Sequence, residues 1–585
     1  MSNDTKYVVG IDFGTLSGRA AVVSVADGSE LGHGVKEYTH QVMDRSLTAG
    51  DDQLLPPDYA LQVPADYIEV LQTAVLEAIA SSGVDPSQII GLGIDFTSAT
   101  VVAAKADGTP LCELEEFKNH PHAYVKLWKH HGAQEQADRI VALAEERNEA
   151  WLARYGGILS SEMLMPKVLE TLEKDPEVYA AADRFFNALD WITFRMTGHE
   201  VYAAGDSGYK RNYQDGKYPS REYLEALNPG FGGVFSEKMP GEVLPLGSEA
   251  GKLTAEAAGW MGLPEGISVA VGNIDAHVTA AAVQAVEAGQ MTAIMGTSSC
   301  HIVLGNELKE VPGMFGVVDG GIVDGLWAFE CGQTAVGDIF AWFVNNCVDQ
   351  RFRDQADEAG VSIHDWLTRL AADQEIGEHG LVALDWHNGN RSVLSDANLS
   401  GLIIGQTLTT RPQDTYRALL EATAFGARTI VETFANNGVE ISEIVAAGGL
   451  IKNKFLMQMY ADVCKLPISV GLTTQPGALG SAVFAAVAAG AYPDVKAATM
   501  AMGRKEENAY LPRPEASEQY DRLFAEYTKL HDYFGRGGNE VMHTLKDIRR
   551  DAARRHAERN EGKYSKPDTT QEQISEGGKD YYPVV

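Results

Sequence analysis

The sequence is short of cysteine, of cationic residues and of long apolar runs, and each shortage removes a class of function. Its five cysteines, Cys112, Cys300, Cys331, Cys347 and Cys464, are scattered, odd in number and never spaced CxxC. That pattern argues against a disulfide framework and against a zinc site, and it fits a reducing cytoplasm. Lys and Arg number 48 against 81 Asp and Glu, giving a formal net charge of -33 that repels a nucleic-acid backbone. The densest basic stretch, Arg549-Arg550-Asp551-Ala552-Ala553-Arg554-Arg555-His556, reads as a solvated helix face. The most apolar late segment, Ala478 to Ala491, is shorter than the roughly 20 residues of a membrane span and reads as a buried helix. The start, Met1-Ser2-Asn3-Asp4-Thr5-Lys6, enters a strand pattern without an apolar signal region. Two common nucleotide signatures are missing as well, the GxxxxGK[ST] loop and the GxGxxG fingerprint. No nucleic-acid partner and no membrane partner is therefore expected.

What is present is a chain of 585 residues, 45% hydrophobic and 22% charged, long enough for two large domains. A strand pattern at Tyr7-Val8-Val9-Gly10-Ile11 ends in Asp12-Phe13-Gly14-Thr15 and returns from Arg19 to Val25. The same device recurs at Gln290 to Met295, where Gly296-Thr297-Ser298-Ser299 turns the chain into Cys300 to Leu304. Downstream of each hairpin a helical stretch precedes an apolar strand. These are Tyr67 to Ser81 before Ile89 to Asp95, and Tyr416 to Phe434 before Ile444 to Gly449. Two α/β domains of common plan follow, with mixed sheets covered on both faces. The boundary is placed near residue 272, giving units 1–272 and 273–515 and then a C-terminal helix and polar tail over 516–585. Pro110 to about Pro245 reads as insertions on the ligand side of the first domain. The composition from about Arg559 onward predicts little order.

Phosphates are held where Gly lets backbone N–H groups approach and Thr or Ser adds a hydroxyl, so Gly14-Thr15 and Gly296-Thr297-Ser298 are candidate phosphate turns. Asp12 closes a buried strand, where a carboxylate either caps its own turn or meets a cation through water, Mg2+ accompanying ATP being the economical choice. Asp275, in Gly272-Asn273-Ile274-Asp275-Ala276-His277, stands before an Ala-rich helical stretch, where it is either the N-cap or a general base for phosphoryl transfer. Gly448-Gly449, followed by Asn453, ends a strand and opens a helix, leaving flat backbone for an adenine or ribose.

Taken in order, these residues resemble the FGGY carbohydrate kinases, members of the actin-like ATPase superfamily, from about Tyr7 to about Pro514. The family's two phosphate motifs look like Asp12-Phe13-Gly14-Thr15 and Gly296-Thr297-Ser298. Its adenosine motif looks like Gly448-Gly449 with Asn453, and its catalytic Asp like Asp275. Its signatures resemble Met165-Pro166-Lys167, Ser400 to Gly405 and Tyr416 to Glu421. The resemblance implies two actin-like ATPase (ribonuclease H-like) domains with a ligand cleft between them, and ATP with Mg2+ as cofactors. The stretches His122 to His131 and Ser160 to Lys167 look like the branch that phosphorylates L-ribulose in L-arabinose breakdown. By that likeness Asp95, Trp128, Lys210, Asp275 and Glu330 would line a sugar pocket. Trp128 as a core residue and Lys210 as a surface-loop residue are the alternatives, whereas Glu330, in an apolar strand, requires a partner. Other ketopentoses, polyols and a non-metabolic actin-like ATPase stay open as functions, and a homodimer stays open as the assembly.

Overall fold

In the computed structural model, which describes residues 5–560, the chain builds two seven-stranded sheets on one plan. The hairpin Tyr7–Phe13 and Ser17–Ser24 extends antiparallel to Glu30–Glu37. On its other side Tyr7–Phe13 pairs parallel with Ile89–Phe96, which is followed by Ser268–Ala270 in parallel and Glu249–Lys252 in antiparallel order. The second sheet repeats this. Gln290–Met295, Ser299–Gly305 and Trp327–Gln333 run antiparallel. Beyond Gln290–Met295 come Glu443–Ala447 and Ile468–Gly471 in parallel, then Lys505–Tyr510 antiparallel. The duplication expected from the hairpins thus covers all but one strand of each sheet. Tyr7–Phe13 is buried on nearly every residue, as a central strand covered on both faces must be. Glu30–Glu37 buries little more than Gly32 and Gly34 and exposes alternate residues, the pattern of an edge strand.

The helix expected over Tyr67 to Ser81 lies within a continuous helical run from Pro64 to Ser82, closed by Gly83 in the left-handed region at φ 67°. The one expected over Tyr416 to Phe434 spans Pro412–Asn436. The apolar segment near Ala478 is the helix Pro476–Ala488, buried almost throughout. It comes from the second half of the chain but packs on the first sheet. A Cβ at Gly10 would lie 1.8 Å from the Ala478 carbonyl oxygen, and one at Gly93 2.0 Å from that of Ser481, so only glycine lets the helix backbone lie directly on these strands. Helix Asp275–Ala282, which leaves the first half, crosses it. Asp275 therefore starts a helix at the junction of the two halves.

Between the strands of the first half, Leu61–Gln62, Val125–Lys126, Val101–Ala104 and Arg184–Asn187 form a small sheet with helices such as Leu164–Lys174 beside it. The C-terminal helix Pro514–Gly535 buries Tyr520, Phe524 and Tyr527 in the second core. A further helix, Val541–Asn560, follows. The tail from residue 561 on lies outside the described residues. No helix among the described residues is long and apolar enough to cross a membrane.

Candidate active site

Both Gly-Thr turns are tight and anchored from outside the hairpin. Gly14 N–H donates to Ser17 O at 3.0 Å, and Gly14 O accepts from the Tyr38 hydroxyl at 2.8 Å. Thr15 O accepts from Gln62 Nε2 at 2.7 Å, and its Oγ1 accepts from Trp128 Nε1 at 3.1 Å. In the second turn Gly296 N–H donates to Ser298 O at 2.9 Å, and Thr297 O accepts from Val336 N at 2.7 Å, which seats the turn beside helix Gly337–Cys347. Thr297 is exposed and Gly296 and Ser298 are half-buried. Gly448 adopts φ 94°, and a Cβ there would come 2.5 Å from Met295 O, so a glycine is required for the strand end to lie against the second turn. A Cβ at Gly449 would meet nothing within 4 Å. Asn453 is the N-cap of helix Lys454–Cys464: its Oδ1 accepts from Leu456 N at 3.0 Å and its Nδ2 donates to Thr368 Oγ1 at 3.2 Å.

Asp12 and Asp95 stand side by side where the first sheet ends, and Asp275 lies within reach of the Asp12 charge. Asp12 and Asp95 are register partners on parallel strands, and Asn273, two residues before Asp275, pairs with Asp95 on the other side. Burial raises both Asp12 and Asp95; the Asp12 charge raises Asp95 further, while the Asp95 hydrogen bond holds Asp12 down. Of the two, Asp95 is the more strongly raised, being fully buried and facing the Asp12 charge. Asp95 Oδ2 accepts from Ser481 Oγ at 2.6 Å, from the crossing helix. Asp12 is the more open of the two and has Arg19 at 3.9 Å. Asp275 is the first residue of its helix, not the cap: Ile274 occupies the N-cap position and makes no side-chain cap. Asp275 Oδ1 accepts from Ala276 N at 2.7 Å. Burial, then the Asp12 charge, push its carboxyl up to about 7.

A second charged group bridges the two halves. Lys210, the last residue of helix Ala204–Lys210, donates to Glu330 at 2.8 and 3.0 Å. Both are nearly inaccessible, with 5% of each side chain exposed, so Lys210 is no surface-loop residue. His277 Nε2 lies 3.3 Å from Glu330 Oε2, and Arg391 Nη2 lies 3.5 Å from Oε1. Against the burial that would raise it, Lys210 and His277 hold the Glu330 carboxyl well below the usual carboxylate range. Trp128 is half-buried, and its loop is fixed from beneath. Lys167, fully buried, donates to Leu127 O and to Ala99 O, each at 2.7 Å. Burial pushes Lys167 down to about 7.

The structure thus joins Thr15 to Trp128, Asp12 to Asp95, Lys210 to Glu330, and Gly448 to the turn after Met295. Asp95 is fully buried, and its carboxyl faces Asp12 and Ser481. Sequence reasoning singled out neither Ser481 nor Arg391, nor the part played by His277. His277 lies two residues beyond Asp275 in the same segment, which was a usable signal; Arg391 lies in a loop without periodicity, which offers none.

Comparison with known proteins fits this geometry. Residues 7–282 match the N-terminal domain of the FGGY family of carbohydrate kinases, and residues 291–489 match its C-terminal domain. A ribulokinase of Mycolicibacterium smegmatis is 58% identical over 550 residues, covering 94% of this chain and 98% of that protein. One from Halalkalibacterium halodurans is 47% identical, covering 93% and 98%. Among solved structures, a gluconate kinase from Lactobacillus acidophilus superposes with a TM-score of 0.75 at 18% identity, covering 91% of this chain and 99% of that one. A xylulose kinase from Rhodospirillum rubrum gives 0.72 at 23% identity, covering 90% and 98%. With both halves matched in order and relatives aligned nearly end to end, this chain belongs to the FGGY family of carbohydrate kinases.

Proposed function

We propose that this chain transfers the γ-phosphoryl group of ATP to the terminal hydroxyl of L-ribulose, giving L-ribulose 5-phosphate and ADP. The observation that carries the reading is the near full-length identity, 58% in one case, to proteins named ribulokinase. The site supports a mechanism for it. Asp275, raised to about 7, is a carboxylate that can take up a proton near neutrality, as a general base requires. In the proposed step the sugar oxygen forms a bond to the γ-phosphorus, the bond to the β,γ-bridging oxygen breaks, and the hydroxyl proton passes to Asp275. The turns at Gly14-Thr15 and Gly296-Thr297-Ser298 hold the phosphates from opposite halves, and Gly448-Gly449 with Asn453 accepts the adenosine. Lys210 and Glu330 meet sugar hydroxyls, and Trp128, tethered to Thr15, covers an apolar face of the sugar. Asp95, beside Asp12, is proposed to line the same pocket.

Among the described residues no group of three or more His, Cys, Asp or Glu could hold a metal ion. A magnesium ion arriving on the nucleotide and met by Asp12 through water fits this donor set, and it would neutralise phosphate charge during transfer. The boundary near residue 272 precedes Asn273–Ile274 and the helix of Asp275, which we take as the hinge between the halves.

The test is an assay of ADP release across L-ribulose, D-xylulose, ribitol and glycerol. The expected result is the highest kcat/KM for L-ribulose. A higher value for another sugar would move the substrate, and ADP release that no sugar stimulates would overturn the kinase reading.

A further inference from the structure

Glu330 is shared by cations that differ in freedom. Lys210 is one long side chain at a helix end. Arg391, by contrast, is carried by a pinned loop. Asn390 and Asp396 exchange backbone hydrogen bonds at 2.9 and 2.8 Å, and Thr334 Oγ1 donates to Gly389 O at 3.0 Å. Asp396 is in turn bound by His543 of helix Val541–Asn560 at 2.6 Å. The Arg391 guanidinium lies over the Phe315 ring, 4.2 Å from its centroid, a planar contact that an ammonium does not reproduce. The same Nη2 that faces Glu330 stands 3.8 Å from Glu162 Oε2.

Lys210, Glu330, Arg391 and Glu162 therefore alternate in charge, and the outer two come from one half of the chain and the inner two from the other. Lys210 and Glu162 belong to the first half of the chain, Glu330 and Arg391 to the second. A sugar whose hydroxyls engage Lys210 and Glu330 competes for the hydrogen bonds that these two now make to each other. A buried carboxylate that loses its partner is strongly destabilised, so the exchange needs a second cation that stays.

We propose that Arg391 is the positioning residue of the sugar site: it keeps Glu330 charged and aimed while Lys210 turns to the sugar, and through Glu162 it ties that exchange to closure of the cleft. This rests on the sugar pocket proposed above. His277, at 3.3 Å, assists, but its own basicity is lowered by burial, which leaves Arg391 as the lasting countercharge.

The experiment varies L-ribulose and ATP separately in wild type, Arg391→Gln, Arg391→Lys, Glu162→Gln and the double variant Arg391→Gln/Glu162→Gln, all as full chains, with melting temperatures alongside. Arg391→Gln should raise the KM for L-ribulose by about 10- to 100-fold, the range for leaving a buried polar group short of a partner, and leave the KM for ATP near wild type. Arg391→Lys should recover part of the loss, and the double variant should be no worse than Arg391→Gln alone. A normal sugar KM in folded Arg391→Gln, or equal losses for sugar and ATP, overturns the proposal. Should Arg391→Gln fail to fold, Arg391→Lys and Glu162→Gln decide: both must raise the sugar KM selectively, and a normal value in either overturns it. A wild-type enzyme inactive on L-ribulose sinks the functional reading and this one with it, whereas an active wild type leaves the variants to judge Arg391 alone.

Discussion

Replacing Asp275 by Asn separates a proton acceptor from a helix-end residue. The amide oxygen of Asn can keep the hydrogen bond that Asp275 Oδ1 accepts from Ala276 N at 2.7 Å, and no cap is lost because Ile274 holds that position. Turnover should nevertheless fall by about 10²–10⁴, the contribution of a general base, or about 2.7–5.4 kcal/mol in barrier. Stability should move the other way. Burial and the Asp12 charge raise Asp275 from its ordinary 3.8 to about 7 in the folded chain. The folded state therefore binds a proton that the unfolded state has released. The associated stabilisation is complete below 3.8 and is lost as pH rises through about 7. Asn suffers no such loss, so the melting temperature of Asp275→Asn in the ligand-free protein should gain on wild type between about pH 6 and about pH 8. The assay is kcat by coupled ADP release at saturating substrates, with thermal melts at both pH values. Near-normal turnover would refute the catalytic assignment. A fall in melting temperature with turnover kept would return Asp275 to a helix-end role.

Other consequences can be checked with standard measurements. Gly296→Val should fold normally, since a Cβ there meets only Ser298 O at 3.9 Å, yet weaken nucleotide binding by about tenfold, roughly one lost hydrogen bond to phosphate. Calorimetry with a nonhydrolysable ATP analogue would contradict the two-turn scheme if affinity were unchanged. Gly448→Ala must hold a left-handed φ of 94° against Met295 O, so chemical denaturation should show a loss of about 1–3 kcal/mol; unaltered stability would mean that the strand end relaxes. The halves should close further when sugar and a nonhydrolysable nucleotide bind together, because water must be excluded from transfer. Small-angle scattering without compaction counts against that.

The central strands of both sheets and their turns were legible because they are local: an apolar run, a Gly-Thr turn and a returning strand are contiguous in sequence. The repeated plan followed from seeing that device twice. Glu330 was legible for another reason, since a carboxylate inside an apolar strand demands a partner, and Lys210 is that partner. The crossing of helix Pro476–Ala488 onto the first sheet was not legible. It depends on Gly10 and Gly93 lying under that helix, and the Ser481 to Asp95 hydrogen bond spans 386 residues. For the same reason the contact of the Asp95 carboxyl with Ser481 was not legible. Asn453 was read from its motif as an adenosine contact, while its local chemistry, an Asn ahead of a helix, equally signals the N-cap that it forms. Arg391 was out of reach because no periodicity marks a loop residue; Glu162 lies within the Ser160 to Lys167 stretch, but nothing local signals its pairing with a residue of the other half.

Phosphorus NMR of the enzyme turning over ATP and L-ribulose tests the central claim most directly, because it follows the transferred group itself. The account predicts that the γ-phosphate signal gives way to ADP and one phosphomonoester whose phosphorus couples to the two protons on C5 of the sugar. A phosphomonoester on another carbon, or inorganic phosphate with no sugar ester, would contradict it.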